Sequence, residues 1–474
     1  MGRRDDGDGA WRQPRLPWRL TVTTMTLRRR LAASILAAAL GGCASYRAQP
    51  LPPAPDLPAE AAAIVVDRSL IALPELAAQP FDARGGLGSD EVAMLAVVNN
   101  PELRVARADA KVAHAQAFAA GVLPDPQLAL TRDVPRSSQP GTTSAFNLGL
   151  SEDINALLRH SFDRETGRLD ARKTDLQLLW QEWQVVARAR SLHVRLLAQQ
   201  RLHDVLAANQ ALFAQRWQRA QAALAEGLLT LDAVTPHLVA LQDIERQLRD
   251  LERQRNANRH ELNALLGLAP SAVVPLRGST ALRALDEPGL LALLPQLPRR
   301  RPDLLALQTG YRAEDQRLRA AIRSQFPTFT IGFTRARDTA GLNTIGLGVT
   351  LGLPLFGGAR GPIAIEEATR DRLYQDYRAR LDAAAGDVHR ILAEERINAA
   401  QLRDVNRAMA ELSQAAAKAD AALRERRIDA SADVALQASL LAKQLEQIQL
   451  EQAIALQRVA LQTLVGGALP LEPE

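Results

Sequence analysis

The sequence predicts a mainly α-helical chain that also carries the strands of a membrane β-barrel, built from one structural unit that occurs twice. Three observations lead to this prediction. Two long stretches, 141–235 and 363–469, contain no proline, and both place apolar residues three and four positions apart, which is typical of coiled-coil helices. Segments such as Ile345–Leu353 alternate apolar residues with glycine and threonine, as strands do. Short motifs also recur at a nearly constant distance along the chain.

Composition excludes several classes of protein. Of the 474 residues, 47% are hydrophobic and 23% are charged. The apolar segment Leu31–Leu40 is about half the ~20 residues of a membrane-spanning helix, so a polytopic helical membrane protein is not expected. The single cysteine excludes a disulfide scaffold. The net charge of +5 arises in residues 1–42, which hold eight arginines and three acidic residues, so we expect no nucleic-acid partner.

The N-terminal residues are typical of a secretory signal. A basic segment, Met25–Arg30, precedes the apolar segment Leu31–Leu40, and small residues follow. Leu40-Gly41-Gly42-Cys43 resembles the bacterial lipobox, whose cysteine is acylated and becomes the first residue. This predicts an upstream segment and signal peptide over 1–42, with translation starting at Met1 or Met25, and a lipid anchor at Cys43. Ala44 follows the cysteine and favours the outer membrane, and 43–89, rich in proline and glycine, is expected to be an extended tether.

The rest of the chain is predicted to contain one structural unit that occurs twice. Pro101-Glu102-Leu103 recurs as Pro302-Asp303-Leu304 after 201 residues, and Leu266-Gly267 recurs as Val465-Gly466 after 199 residues. These matches predict repeats over 90–267 and 302–474, joined by a proline-rich linker over 268–301. Each repeat reads as helix, strand, strand, very long helix and helix.

Each long helix is expected to turn back as a hairpin. In the first repeat Gly227 suits the left-handed residue that follows a helix, and Thr230 or Asp232 can cap the next one. In the second repeat the turn lies within Arg424–Asp433, where Arg426 takes the place of the glycine.

The strands predict a barrel that several chains share. Phe329–Thr334 and Ile345–Leu353 alternate clearly, whereas Leu128–Leu130 and Phe146–Ser151 alternate more weakly. Four strands cannot close a barrel, and an open edge in lipid would leave backbone groups unpaired. Two chains would supply eight strands and three would supply twelve. Since eight strands enclose only their own side chains, a conduit favours the trimer.

The chain from about residue 90 to 474 resembles the TolC family of outer-membrane efflux channels. The residues that carry the resemblance are Asn100-Pro101-Glu102-Leu103, Arg301-Pro302-Asp303-Leu304, Phe326-Pro327 and Pro354–Arg360. The resemblance implies a homotrimer with a twelve-stranded barrel and a long periplasmic α-helical coiled-coil tunnel. It also implies a periplasmic adaptor and an inner-membrane pump as partners, and passive conduction of small toxic compounds.

The resemblance also suggests the residues of two sites. The first hairpin tip, with Gly227, Leu228, Thr230 and Asp232, would contact the adaptor. Asp433 matches an acidic residue that narrows the periplasmic aperture in the family, and it would either contribute to a ring of three carboxylates or merely cap the returning helix. We expect Arg426, Arg427 and Asp429 to add contacts that close the aperture. The acidic residue that follows Pro-Leu-Phe in the family is absent here, because Gly357 takes its place.

No enzyme or cofactor is expected. The seven histidines show no metal-ligand spacing, and neither a phosphate-binding loop nor a catalytic Ser-His-Asp order is recognisable. Two alternatives stay open. Leu123-Pro124-Asp125-Pro126 resembles the heavy-metal cation-efflux branch, although four methionines and seven histidines offer few metal ligands. A periplasmic coiled-coil adaptor lipoprotein is the other, but adaptors have a single hairpin.

Overall fold

The computed structural model describes residues 46–136, 140–278, 284–424 and 430–470. The chain divides into two units, Met1–Asp56 and Leu57–Glu474. In the first unit the described residues, Tyr46 to Asp56, are exposed and contain neither helix nor strand. All elements named below belong to the second unit.

The second unit repeats one order of elements. It begins with two 3-10 turns, Ala61–Ala63 and Arg68–Leu70, and the short helix α1 (Pro74–Ala77). The first half comprises α2 (Ser89–Asn99), α3 (Pro101–Ala120), β1 (Gln127–Asp133), β2 (Ala145–Asp153), α4 (Ile154–Ala225) and α5 (Leu231–Leu265). The connection contains α6 (Glu287–Leu291), a 3-10 turn (Leu294–Gln296) and α7 (Leu297–Arg300). The second half comprises α8 (Pro302–Arg323), β3 (Thr328–Arg337), β4 (Asn343–Gly352), α9 (Arg360–Arg424) and α10 (Ala430–Val465). The predicted order of helix, two strands, long helix and helix is confirmed.

The long helices form hairpins that pack on one another. Helix α4 has 72 residues, or about 108 Å at 1.5 Å per residue, and α9 has 65 residues. Each packs along the helix that follows it, and α10 also lies against α4 and α5. Apolar side chains from α4, α5 and α10 fill this contact: Leu206, Phe213, Leu241, Ile244, Leu251, Val434 and Leu441. The two halves are therefore held together through their helices as well as through the sheet.

The recurring motifs join the start and the end of each half. The side-chain oxygen of Asn100 accepts a hydrogen bond from the Leu103 amide at 3.0 Å and so caps α3. The side-chain nitrogen of Asn100 donates to the Leu265 carbonyl at 2.9 Å. In the second half Arg300 Nε donates to the Val465 carbonyl at 3.0 Å. Both contacts reach carbonyl groups in the last turn of a helix, which have no partner within the helix.

The segment expected to be an extended tether is packed for much of its length. Ala61, Ile71, Leu76 and Leu87 are buried in a cluster with side chains of α2, α4 and the end of α5. Arg107 of α3 holds this segment as well, because its guanidinium donates to the Leu70 carbonyl at 3.1 Å. The described residues before Ala61 are nearly all exposed. From Ala61 onward the segment is attached to the helices by the buried side chains Ile71, Leu76 and Leu87, while most residues between them stay exposed.

The predicted linker is also partly folded. Leu290 and Leu297 are buried, Leu290 beside side chains of α9 and α10 and Leu297 beside Leu304 and Ala384. Leu268 and Ala272, at the start of the linker, are buried in the cluster of the first half. The linker therefore contacts both halves of the helical region and is an integral part of the fold.

Candidate functional site

The described residues contain one antiparallel sheet, in the order β1-β2-β3-β4. Leu128 pairs with Leu150, Leu150 with Phe333, and Phe333 with Leu347. Paired residues lie on the same face of a sheet, and alternate residues of a strand follow them there. One face therefore collects the apolar side chains: Leu128, Leu130, Phe146, Leu148, Leu150, Phe329, Ile331, Phe333, Ile345, Leu347, Val349 and Leu351.

This apolar face is exposed. Leu347 is 76% exposed and Ile345 is 71% exposed, and Leu355 and Phe356 beyond the end of β4 are exposed too. A contiguous apolar surface of this kind marks a protein–protein or membrane contact. Strands β3 and β4 have ten residues each, which matches the length of a membrane barrel strand.

The opposite face is small and polar. It carries Ala129, Asn147, Gly149, Ser151, Thr330, Gly332, Thr334, Thr344, Gly346, Gly348 and Thr350. The sheet is thus amphipathic, as the alternation of the sequence predicted. Among the described residues its outer strands, β1 and β4, pair on one side only, which leaves a row of backbone groups at each edge.

The sheet continues directly into the long helices. Asp153 ends β2, and its Oδ1 accepts the amide hydrogens of Asn155 and Ala156 at 2.9 and 3.2 Å, which caps α4. The Asn155 side chain donates to the Pro327 carbonyl at 3.2 Å and accepts from the Phe329 amide at 3.0 Å. Asn155 therefore fixes the start of β3 to the start of α4, and sequence reasoning did not single it out.

The first hairpin tip adopts the predicted turn. Gly227 has φ +70°, and the amides of Gly227 and Leu228 donate to the carbonyls of Leu224 and Ala223 at 3.0 and 2.8 Å. Thr230 occupies the capping position of α5, but its side chain makes no capping hydrogen bond. Gly227, Leu228, Thr230 and Asp232 are all exposed.

The second hairpin tip differs from the expectation at Asp433. Its carboxylate is buried and forms an ion pair with Arg216 of α4, a residue that sequence reasoning missed. Within this chain the carboxylate of Asp433 therefore faces Arg216, so the ion pair joins α10 to α4 near the tip. Arg426, Arg427 and Asp429 lie outside the described residues, as does Cys43.

A group of carboxylates lies between α4, α8 and α9, below the sheet. Arg317 pairs with Asp170 and, at 2.9 Å, with Glu314, whose side chain is buried. A hydrogen bond to Glu314, together with burial and the charge of Glu314, raises the pKa of Glu366 to about 7. A protonated Glu366 can therefore donate a hydrogen bond to Glu314 where α9 contacts α8, and this proton is lost as the pH rises through about 7.

Two features are absent from the described parts of the chain. Within those ranges no group of three or more histidine, cysteine, aspartate or glutamate side chains is placed to hold a metal ion. No helix in the same ranges is both long and apolar enough to cross a membrane.

Comparison with known proteins identifies the fold. No protein-family model and no curated protein matches the sequence. One match is the solved structure of CusC, a protein that forms a transmembrane channel. It has a TM-score of 0.68 and 17% identity, over 88% of this chain and 99% of CusC. VceC, an outer membrane protein from Vibrio cholerae, matches with a TM-score of 0.67 and 19% identity, over 80% and 96%. The outer-membrane channel OprN matches with a TM-score of 0.68 and 17% identity, over 90% and 99%. The chain therefore has the fold of these outer-membrane channel proteins.

Proposed function

We propose that three copies of this chain form an outer-membrane channel that conducts small toxic compounds passively from the periplasm to the exterior. The observation that carries the proposal is the amphipathic sheet, with one exposed apolar face and two open edges. In lipid those edges need partners, because hydrocarbon offers no hydrogen bonds to backbone groups. Three four-stranded sheets would supply a twelve-stranded barrel, wide enough for a water-filled path lined by the small polar face.

The helices would extend this path into the periplasm. Asp153 and Asn155 connect the sheet rigidly to α4, so a barrel formed by the strands passes into a tunnel formed by the helices. Energy for export would come from an inner-membrane pump, and a periplasmic adaptor would contact the exposed tip at Gly227, Leu228, Thr230 and Asp232. We further propose that Cys43 carries the lipid anchor, and that Arg426, Arg427 and Asp429 supply contacts that close the periplasmic end. Asp433 would act there through its buried ion pair with Arg216, which holds α10 against α4 near the tip.

The alternatives are less well supported. A periplasmic adaptor does not account for a chain with two long hairpins and the fold of outer-membrane channels. No observation favours heavy-metal cations over small toxic compounds as the cargo.

The proposal is tested by the mass and assembly of the protein extracted from outer membranes. Native mass spectrometry should give three lipid-modified chains, and the same material should conduct ions in planar bilayers. Leu347→Lys places a charge on the apolar face. A lysine in contact with lipid near the membrane midplane destabilises a barrel by about 2–4 kcal/mol for each copy, so this variant should not assemble. Thr350→Lys, on the opposite face of the same strand, is the matched control and should assemble. A monomer, or equal assembly of the two variants, would refute the barrel.

A further inference from the structure

Three arginines interrupt the apolar face of the sheet at one end. Arg132 pairs with Phe146, Phe146 pairs with Arg337, and Arg335 pairs with Leu148 and Ile345. All three arginines therefore lie on the apolar face. They belong to the ends of β1 and β3 that lead into the turns between strands, opposite the ends that meet α4 and α9.

These guanidinium groups lie close together without carboxylate partners. Arg335 and Arg337 are two residues apart, or about 7 Å along the strand, and Arg132 lies two strands from Arg337, or about 10 Å away. Within the described ranges no aspartate or glutamate forms an ion pair with any of the three, and the buried Nε of Arg337 lacks a hydrogen-bond partner there. Their neighbours on this face are apolar or neutral, so three like charges are concentrated where an anion would be favoured.

The charge on this face is asymmetric along the strands. Glu152 lies on the same face at the helix end of β2, where it pairs with Ile331. The apolar side chains of the strands occupy the positions between this glutamate and the arginines. A molecule with acyl chains and anionic groups could therefore pack its chains on the apolar positions while its anions reach the arginines.

We propose that Arg132, Arg335 and Arg337 form a docking surface for the phosphate groups of a phosphorylated glycolipid in the outer leaflet of the membrane. Guanidinium groups bind phosphate oxygens through paired, charge-assisted hydrogen bonds, and a cluster of basic residues at the depth of the headgroups is typical of such recognition. The inference rests on the proposed function, because only a barrel inserted in the outer membrane brings the turn ends of the strands to that leaflet. A trimer would carry three such surfaces.

The test measures lipid binding to the detergent-extracted protein by native mass spectrometry. The probe is bis-phosphorylated lipid A, compared with the same lipid after removal of both phosphates. We expect the phosphorylated form to bind at least about tenfold more tightly, since even one charge-assisted hydrogen bond would give a difference of that size. Equal binding of the two lipids by the unmodified protein would overturn the proposal and requires no variant. Inorganic phosphate at millimolar concentration should not displace the lipid; complete displacement would assign the surface to free phosphate instead.

Variants locate the surface. The triple variant Arg132→Gln, Arg335→Gln, Arg337→Gln should lose the preference for phosphorylated lipid A. The charge-matched control replaces Arg168, Arg390 and Arg407, which are exposed on helices, with glutamine and should retain it. An equal loss in both triples would mean that net charge, not this surface, binds the lipid. If the unmodified protein is not a trimer, the proposed function fails, whereas a trimer that does not distinguish the two lipids refutes the docking surface alone.

Discussion

Replacing Asp433 with alanine should loosen the contact between the two helical hairpins near their tips. The carboxylate of Asp433 is 1% exposed and the guanidinium of Arg216 is 11% exposed, so both groups of this ion pair have lost most of their water. Removal of one partner from such a buried pair costs about 3–5 kcal/mol. At ~1.4 kcal/mol for each factor of ten, even the lower figure raises the equilibrium constant for local opening more than about 100-fold.

Hydrogen exchange measured by mass spectrometry reports this opening directly. Amide groups around Arg216 in α4 and around Asp433 in α10 should exchange about 100-fold faster in the variant, whereas amides of α3 and α8 should be unchanged. Asp404→Ala is the matched control, because Asp404 pairs with Arg407 on the surface of α9, where the two side chains are 68% and 77% exposed. That change should alter local exchange by about twofold or less.

The double variant Arg216→Met, Asp433→Met completes the test. Replacing both members of a buried pair with apolar residues is often neutral or stabilising, so exchange should return close to that of the unmodified protein. The reasoning is refuted if Asp433→Ala accelerates exchange no more than Asp404→Ala does. It is also refuted if the double variant opens as readily as Asp433→Ala, since the loss would then come from packing and not from the broken ion pair.

Two further predictions concern single residues of the helical region. The pKa of Glu366 is raised from 4.5 to about 7, so between these pH values the folded state holds a proton that the unfolded chain has released. The contribution of Glu366 to stability is therefore fully present below pH 4.5 and is lost as the pH rises through about 7. Thermal unfolding of Glu366→Gln should lose this dependence between pH 5 and 8, unlike the control Glu367→Gln; parallel curves would contradict the assignment. Gly267 has φ +62°, and a Cβ there would lie 2.7 Å from the Asn99 carbonyl oxygen, whereas Gly227 has φ +70° and open space around it. Gly227→Ala should therefore cost about 1–2 kcal/mol from backbone strain alone and Gly267→Ala clearly more, which denaturant unfolding would measure; equal costs would show that the contact with Asn99 is easily relieved.

Much of the fold could be predicted because its signals are local. The alternation in Ile345–Leu353 describes one strand without reference to any other residue, and Gly227 marks its turn by backbone conformation alone. The order of elements followed from motifs that recur in both halves, such as Leu266-Gly267 and Val465-Gly466. In each case the physical cause lies within a few residues of the pattern.

The remaining features depend on residues far apart in the sequence. The sequence predicts an aperture or capping role for Asp433, but it gives no sign of the ion pair with Arg216, which lies 217 positions earlier. The segment that contains Ile71 and Leu76 reads as a tether because prolines surround it, yet those side chains are buried against helices that begin later in the chain. Neither contact has a signature in local composition, because burial is decided by the groove that distant elements form.

In each half, side chains of the recurring motif donate hydrogen bonds to the end of the last helix, but the residue types differ between the halves. This difference identifies what the motif does. Asn99 and Asn100 donate to carbonyls at the end of α5, whereas Arg300 and Arg301 donate to carbonyls at the end of α10. An amide and a guanidinium share little chemistry except the ability to donate hydrogen bonds to a helix terminus, where carbonyls lack partners. The motif therefore fastens the first helix of each half to its last helix. In the proposed channel, selectivity for cargo would instead arise from the small polar face of the sheet and from the helix surfaces that line the tunnel, since pore width and lining charge determine which solutes pass.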